Sequence, residues 1–379
     1  MTSCTGSEAL RAGNGIFQCY NIPEKDTETV DGKTRIKKGT ASAIQYMSAD
    51  CNGDDNISAA ELRYYHWQLL DADTQIACAQ ENENSPARLA DAVFLPIIIE
   101  IDQSRLSPQE KADAMARVIE DLQALETKLA GQDNEAVLKT IAHAKNRAGK
   151  KLVGYYKYFL LSPNIKPTIS ALSSMIKTVV AADLEREVLA DFFGEAIRSC
   201  SFANWQSAYP EEETDATAKK AAKALKLVLA KLPVDKLTPA QFDHLVTLNA
   251  RSMIMYLPAP LQAELYPAYT ALLLRTPEDV EQPFNIKRAF CTAAAEIVGQ
   301  AQYLLHGNTT SQDDIQQIGK YAEMLTALAA DMEKAGLADS PKMEIIREGL
   351  RLLASIPTTQ DLESTKTQLR EVEAQLWAK

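Results

Sequence analysis

From about residue 40 to the end of the chain, apolar residues recur three and four positions apart, the spacing of an amphipathic α-helix. The stretch that begins at Ile315 is a clear example, because its apolar residues all fall on one helical face. The pattern predicts helices over residues 87–95, 108–130, 133–148, 150–161, 167–180, 182–200, 214–232, 239–256, 260–274, 286–306, 312–334, 341–355 and 360–378.

Start and stop signals frame these helices. The segment Ser107 to Glu110 (SPQE) combines a capping serine, a proline in the first turn and a glutamate that can bond back to the cap, and Thr238 to Gln241 repeats the device. Glycines follow several periodic stretches, as residues that end a helix in the left-handed conformation do; they are Gly131, Gly149, Gly307 and Gly336. Because the connections are short, successive helices are expected to run antiparallel. We predict an all-α fold, either a multi-helix bundle or stacked antiparallel helical hairpins.

The first forty residues break the helical pattern. The segments TETV and KTRIKK flank Asp31-Gly32, a dipeptide typical of two-residue turns, so a small N-terminal β-hairpin is predicted. Two further breaks stand at 81–86 and at the acidic stretch that follows Tyr209-Pro210. We therefore expect an N-terminal module at 1–83 and helical regions at 84–210 and 211–379, of which the last two are compatible with a single domain.

Composition limits the kinds of partner. The 379 residues include 51 acidic and 40 basic side chains, a net charge of −11, so the chain is acidic and nucleic acid is not an expected partner. The densest apolar run, Val93 to Ile101, contains Pro96 and is much shorter than the roughly 20 residues that span a bilayer. No transmembrane segment is predicted.

The cysteines bear on location. They stand at positions 4, 19, 51, 78, 200 and 291, and no two have the C-x-x-C spacing of a thiolate metal site or a redox motif. Buried free thiols are one expectation, and a disulfide such as Cys4–Cys19 is the other if the protein is exported. Thr2-Ser3-Cys4 resembles the residues around the cleavage point of a bacterial lipoprotein signal, but no apolar region precedes it. Without a recognisable signal peptide the cytoplasm is the default location, and the alternative is an exported protein or one anchored to a membrane through Cys4.

The most specific chemical pattern is the twelve-residue stretch Asp50 to Glu61, DCNGDDNISAAE. A calcium ion takes about six to eight oxygen ligands, several of them from carboxylates. Oxygen-bearing residues stand at positions 1, 3, 5, 7 and 9 of the stretch and at position 12, where a glutamate can bind the ion through both oxygens. The predicted cofactor is Ca²⁺, and the predicted ligands are Asp50, Asn52, Asp54, Asn56 through its backbone carbonyl, Ser58 and Glu61.

On these residues the segment resembles the EF-hand calcium-binding family, over residues 40–79 at most. The resemblance implies a helix–loop–helix in which Ile57, at position 8, pairs as a short strand with a partner loop. Position 6 is usually glycine because its φ is positive; here it is Asp55, which tolerates that conformation at a cost of about 1 kcal/mol. The entry helix at 41–49 is weak, whereas the exit helix has an apolar stripe that consists of Leu62, Tyr65, Leu69 and Leu70.

Some alternatives stay open. The stretch is either a calcium site, a loop of the right fold that binds weakly, or a polar turn that matches by chance. The partner of Ile57 is either a degenerate loop within residues 10–38 or absent.

The sequence contains little catalytic chemistry. Its histidines, at 66, 143, 244 and 306, are isolated, and no nucleophile elbow or phosphate-binding loop occurs. We therefore expect a calcium-binding helical scaffold or interaction protein, whose partner is another protein and in which calcium is structural or mildly regulatory. The less favoured alternative is an enzyme or ligand carrier with its site in a pocket between helices.

Overall fold

A computed structural model of the protein describes residues 4, 6–81, 90–130, 135–161, 168–273, 275, 283–306, 311–358 and 361–378. The predicted fold class is confirmed, because helices packed against one another make up most of this part of the chain and a small antiparallel sheet lies near the N-terminus. The chain forms two compact units, Met1–Phe159 with Lys177–Val188 and Leu160–Ile176 with Leu189–Lys379. The predicted boundaries after residues 83 and 210 stay predictions.

The strands are β1 (Thr27–Val30), β2 (Lys33–Ile36) and β3 (Ile57–Ser58). The helices are α1 (Gly6–Arg11), α2 (Ile16–Cys19), α3 (Ala41–Gln45), α4 (Ala59–Leu69), α5 (Ala72–Glu81), α6 (Leu95–Gln103), α7 (Pro108–Leu129), α8 (Glu135–Leu161), α9 (Ile169–Ala181), α10 (Arg186–Ser199), α11 (Phe202–Ala208), α12 (Thr214–Lys231), α13 (Pro239–Asp243), α14 (Arg251–Met255), α15 (Ala259–Leu273), α16 (Pro283–Leu304), α17 (Gln312–Lys334), α18 (Pro341–Ser355) and α19 (Leu362–Trp377). Two π-helical turns, Ala90–Phe94 and His244–Ala250, lead directly into α6 and α14.

The N-terminal hairpin is confirmed. Strands β1 and β2 pair antiparallel around Asp31-Gly32, and both turn residues have positive φ, at 51° and 75°. Strand β3 adds to the other edge of β2, so the sheet has the order β1-β2-β3. Its apolar side packs into a core with α2 and α4; the large aliphatic side chains that are fully buried there are Ile16, Ile36, Ile57 and Leu62.

Local capping signals set several helix ends as predicted. In α7 the Ser107 hydroxyl accepts from the Glu110 amide, and the Glu110 carboxylate accepts from the Ser107 amide at 2.9 Å. Gly336 adopts a φ of 74° just after α17. The apolar face predicted from Ile315 is the buried face of α17, where Ile318, Tyr321, Met324, Leu325 and Leu328 are all buried. Gly131 and Gly307 lie outside the described residues.

Two predicted helix boundaries are wrong. The predicted helix 87–95 lies partly outside the described residues. Its predicted end at residue 95 is wrong, because the chain continues as α6 to Gln103. Pro96 does not stop the helix, since it lies in the first turn of α6, where no intrahelical N–H is needed. Gly149 does not end a helix; α8 runs through it from Glu135 to Leu161. A Cβ on Gly149 would lie 2.6 Å from Leu184 Cδ2, so this glycine is needed for close packing rather than for a cap. Within the described residues, no helix has both the length and the apolar character that a membrane crossing requires.

The packing role of Gly149 gives a prediction with an internal control. Gly149→Ala adds a methyl that must displace the buried Leu184 side chain, and we expect it to lower the free energy of unfolding by about 1–3 kcal/mol. Gly154 lies on an exposed face of the same helix, and a Cβ added there would have no neighbouring atom within 4 Å. Gly154→Ala should therefore raise that free energy by up to about 1 kcal/mol through helix propensity alone. Urea unfolding of both variants measures the difference, and stabilisation by both would show that Gly149 is not a packing glycine.

Candidate metal-binding loop

The stretch Asp50 to Glu61 lies between a short entry helix and the longer helix α4. The entry consists of α3, only five residues long, and a 3₁₀ turn over Met47–Ala49, so the predicted weakness of this helix is confirmed. Thr40 caps α3 by accepting from the Ala43 amide. The loop therefore begins directly after a single tight turn.

Side-chain oxygens at alternate positions hold the loop together. At position 1, the Asp50 carboxylate accepts from the Gly53 amide at 2.7 Å and from the Asp55 amide at 3.0 Å. At position 3, Asn52 Oδ1 accepts from the Asp54 amide at 2.9 Å, and at position 5, Asp54 Oδ1 accepts from the Asn56 amide at 2.8 Å. The chain thus coils around the side chains at positions 1, 3 and 5, three of the predicted ligands.

Two residues of the loop adopt the left-handed conformation. Gly53 has a φ of 67° and Asp55 a φ of 61°. The positive φ that the resemblance implies at position 6 is therefore present on a residue with a Cβ. The Asp55 side chain also pairs with Lys38, which follows the hairpin.

The position-8 residue has a strand partner inside the predicted window 10–38. Ile57 pairs with Ile36 across the antiparallel β2–β3 ladder. The partner is a β-hairpin rather than a second calcium-type loop. The Lys38 amide adds a further link by donating to Asn56 Oδ1 at 3.1 Å, so the hairpin holds loop positions 7 and 8.

The exit helix begins with a reciprocal cap. Ser58 Oγ accepts from the Glu61 amide at 3.1 Å, and Glu61 Oε2 accepts from the Ser58 amide at 2.9 Å. The predicted apolar stripe of α4 is only partly right, because Leu62 is fully buried but Leu69 is 62% exposed. Tyr64 and Trp67 are the large aromatic side chains of the buried face, and their rings meet Phe94 edge-on near the start of α6.

Glu61, at position 12, has no solvent-exposed surface. Its Oε1 accepts from the amides of Cys51 at 2.9 Å and Asn52 at 3.1 Å, so the side chain reaches back across the start of the loop. Burial raises the pKa of Glu61 to about 8; the Ser58 amide opposes the rise, and the negative charges of Glu100 and Asp50 add to it. The position that would close a calcium shell is thus a buried acid surrounded by other acids.

The structure does not gather the predicted ligands into a coordination shell. Among the described residues, no group of three or more His, Cys, Asp or Glu side chains is placed to hold a metal ion. The side chains of Asp50, Asp54 and Glu61 are instead turned towards backbone N–H groups of the loop. Coordination would require Glu61 in particular to release the amides of Cys51 and Asn52.

One residue of the site has no signal in the local sequence. Glu100, on α6, accepts a hydrogen bond from the Ser58 hydroxyl, although 42 residues separate them in the chain. Leu106, in the connection after α6, lies against Gly53, where a Cβ would come within 2.6 Å of Leu106 Cδ2. The sequence pattern indicates neither contact, because both depend on how α6 packs.

A shallow groove of about 200 Å³ runs beside the loop. Its walls include the side chains of Ile44 and Met47 from the entry segment, and Asp50 and Asp55 from the loop. Ile44 is 64% exposed and Met47 62% exposed, so the surface next to the loop is partly apolar.

Comparison with known proteins finds no matching family model, no matching curated protein and no matching solved structure. The function must therefore be inferred from the loop and its surroundings.

The raised pKa of Glu61 predicts how metal-free stability depends on pH. The pKa in the folded chain, about 8, lies above the ordinary value of 4.5. The contribution of Glu61 to the free energy of unfolding is therefore fully present below pH 4.5. It is lost as the pH rises towards 8, because the unfolded chain releases the proton first, and the free energy falls by at most about 1.4 kcal/mol per pH unit. Denaturant unfolding in excess chelator should show this loss in the wild type and a smaller slope in Glu61→Gln. Parallel slopes in the two proteins would show that Glu61 is ionised when folded.

The positive φ of Asp55 predicts a second outcome. Asp55→Gly and Asp55→Ala both remove the carboxylate, but only glycine adopts this conformation without a steric cost. In excess chelator we expect the glycine variant to be more stable than the alanine variant by about 1 kcal/mol. Equal unfolding free energies would mean that residue 55 does not hold a left-handed conformation in solution.

Proposed function

We propose that the protein is a calcium-binding helical scaffold, in which the loop from Asp50 to Glu61 binds one Ca²⁺. The observation that carries the proposal is the environment of Glu61. Its carboxylate is fully buried and accepts from backbone N–H groups, and within the described part of the chain no lysine, arginine or histidine pairs with it. A buried carboxylate is ordinarily paired with a cation or bound to a metal. With its pKa raised to about 8, Glu61 holds a proton at neutral pH, and a calcium ion at the loop would take the place of that proton.

The arrangement of the other oxygens supports calcium over other metals. Carboxylate and amide oxygens stand at positions 1, 3 and 5, where each accepts a backbone N–H of the coiled loop. Hard oxygen donors without sulfur or imidazole suit calcium and magnesium rather than zinc or copper. The Glu61 side chain would exchange the amides of Cys51 and Asn52 for the ion, which couples binding to a local rearrangement.

The role we propose for the ion is structural, as a clamp inside the first compact unit. The loop is joined to the hairpin through Ile57 and Asn56, to α6 through Ser58, and to the connection after α6 through Gly53. Neutralising the clustered carboxylates would remove their mutual repulsion and tighten all of these attachments. Calcium would thus hold the N-terminal module against α6 and the connection that follows it.

The disulfide supports a location outside the reducing cytoplasm. Cys4 and Cys19 are bonded to each other, and the link ties the N-terminal segment to α2. Such bonds persist in oxidising compartments, where weak structural calcium sites can be filled. A lipid anchor on Cys4 would need the same sulfur atom, so anchoring and this disulfide exclude each other.

We propose that the partner is another protein. Ile44 and Met47 are large, exposed apolar side chains that together line the groove beside the loop, and contiguous exposed apolar surface is a feature of protein contacts. The alternative of an enzyme or ligand carrier stays a prediction.

Calorimetric titration tests the proposal. Wild-type protein freed of metal should bind one Ca²⁺ with a dissociation constant between about 1 μM and 1 mM, the range of sensor and extracellular sites. Glu61→Gln, which loses the bidentate carboxylate, should bind at least about tenfold more weakly. The melting temperature should rise with calcium in the wild type by an amount that follows the measured affinity.

A matched control distinguishes the loss of a metal ligand from the loss of one negative charge. Glu120 is exposed on α7, and Glu120→Gln removes one negative charge without touching the loop. This variant should bind calcium as the wild type does. Equal binding heats in wild type and Glu61→Gln would rule out the proposed site.

A further inference from the structure

We infer that the groove beside the loop is a docking site for a short segment of a partner protein, in which an aliphatic side chain stands next to a lysine or arginine. The inference rests on the proposed protein partner and deepens it by naming the chemistry of the segment that docks. It does not require calcium. Its test therefore uses metal-free protein, and its outcome is separate from that of the calcium titration.

The apolar lining of the groove runs from the core of the N-terminal module to its surface. Ala43 and Ile57 line the groove and also belong to the buried core that the sheet shares with α2 and α4. Ile44 and Met47 line it as well, and both are exposed. An aliphatic side chain that enters the groove would extend this core and remove apolar surface of Ile44 and Met47 from water, which favours binding.

The size of the groove suits a peptide side chain better than an enclosed small molecule. Its volume of about 200 Å³ lies below the roughly 300–1,000 Å³ of pockets that bury most of a small ligand. Gly39 is also part of the lining, and a Cβ added there would meet no atom within 4 Å. The main chain of a partner can therefore come close to this bare backbone while one of its side chains enters the groove.

The polar part of the lining carries a surplus of negative charge. Asp50 and Asp55 both line the groove, whereas Lys38 is the one cation among the described lining residues and is already paired with Asp55. The hydrogen bond with Asp55 raises the pKa of Lys38, and the negative charges of Asp50 and Asp54 add to the rise. A lysine or arginine beside the docked aliphatic residue would meet this negative charge, and an acidic residue there would be repelled.

Methyl NMR spectra in excess chelator, recorded with three capped pentapeptides, test the inference. The first peptide is Gly-Lys-Leu-Lys-Gly; the second has glutamates in place of both lysines, and the third has serine in place of the leucine. We expect the first peptide to shift the methyl signals of Ile44 and Met47 with a dissociation constant of about 1 mM, the affinity of a single anchoring side chain. The other two peptides should leave these signals in place.

Each alternative result of this comparison would overturn the inference. Equal shifts with the lysine and glutamate peptides would show that charge does not select the partner, and equal shifts with the leucine and serine peptides would show that the apolar lining does not. No shift with any peptide would show that the groove is not a docking site. None of these results affects the calcium proposal, and a failed calcium titration leaves the inference standing.

Two matched variants locate the binding surface. Met47 and Leu69 are each 62% exposed, but Leu69 lies on α4, outside the lining of the groove. Met47→Ser should weaken binding of Gly-Lys-Leu-Lys-Gly about tenfold, because it removes one apolar wall, whereas Leu69→Ser should bind as the wild type does. The Ile44 methyl signal follows binding in all three proteins. Equal affinity of Met47→Ser and Leu69→Ser would overturn the inference.

Discussion

The organisation of the N-terminal part of this protein depends on the burial of one carboxylate. Glu61 closes the loop that begins at Asp50, caps helix α4 and has no exposed surface. Burying a negative charge is costly unless protonation, hydrogen bonds or a cation compensate it. Here backbone amides of the same loop stabilise the charged form of Glu61 in part, and the negative charges of the neighbouring acids destabilise that form. The conformation of the loop and the charge state of Glu61 are therefore linked.

The loop that contains Glu61 is connected to the neighbouring elements by a series of contacts. Ile57 joins the loop to the hairpin, and Ser58 and Gly53 join it to α6 and to the connection that follows. Asp102 then ties α6 to α8 through Lys151. These links are a strand pairing, hydrogen bonds and one close side-chain contact, so a change at the loop reaches the helices by packing and hydrogen bonding. The clamping role that we propose for calcium, rather than one confined to the loop, rests on this continuity.

The features that are predictable from sequence are those that local physical chemistry determines. The hairpin turn at Asp31-Gly32, the cap of α7 and the end of α17 at Gly336 depend on residues within a few positions of each other. The left-handed φ of Asp55 follows from its place in the twelve-residue pattern. The errors have a different origin. The role of Gly149 depends on Leu184, which is distant in sequence, and only tertiary packing brings Glu100 to Ser58.

Our central proposal is that Glu61 turns from the loop amides to a calcium ion when calcium binds. A crystal structure of the protein grown with calcium tests it most directly, with anomalous scattering to identify the ion. We predict one anomalous peak inside the loop, within about 2.3–2.6 Å of oxygens from Asp50, Asp54 and both oxygens of Glu61. A loop without such a peak at saturating calcium, with Glu61 still bonded to the amides of Cys51 and Asn52, would contradict the claim.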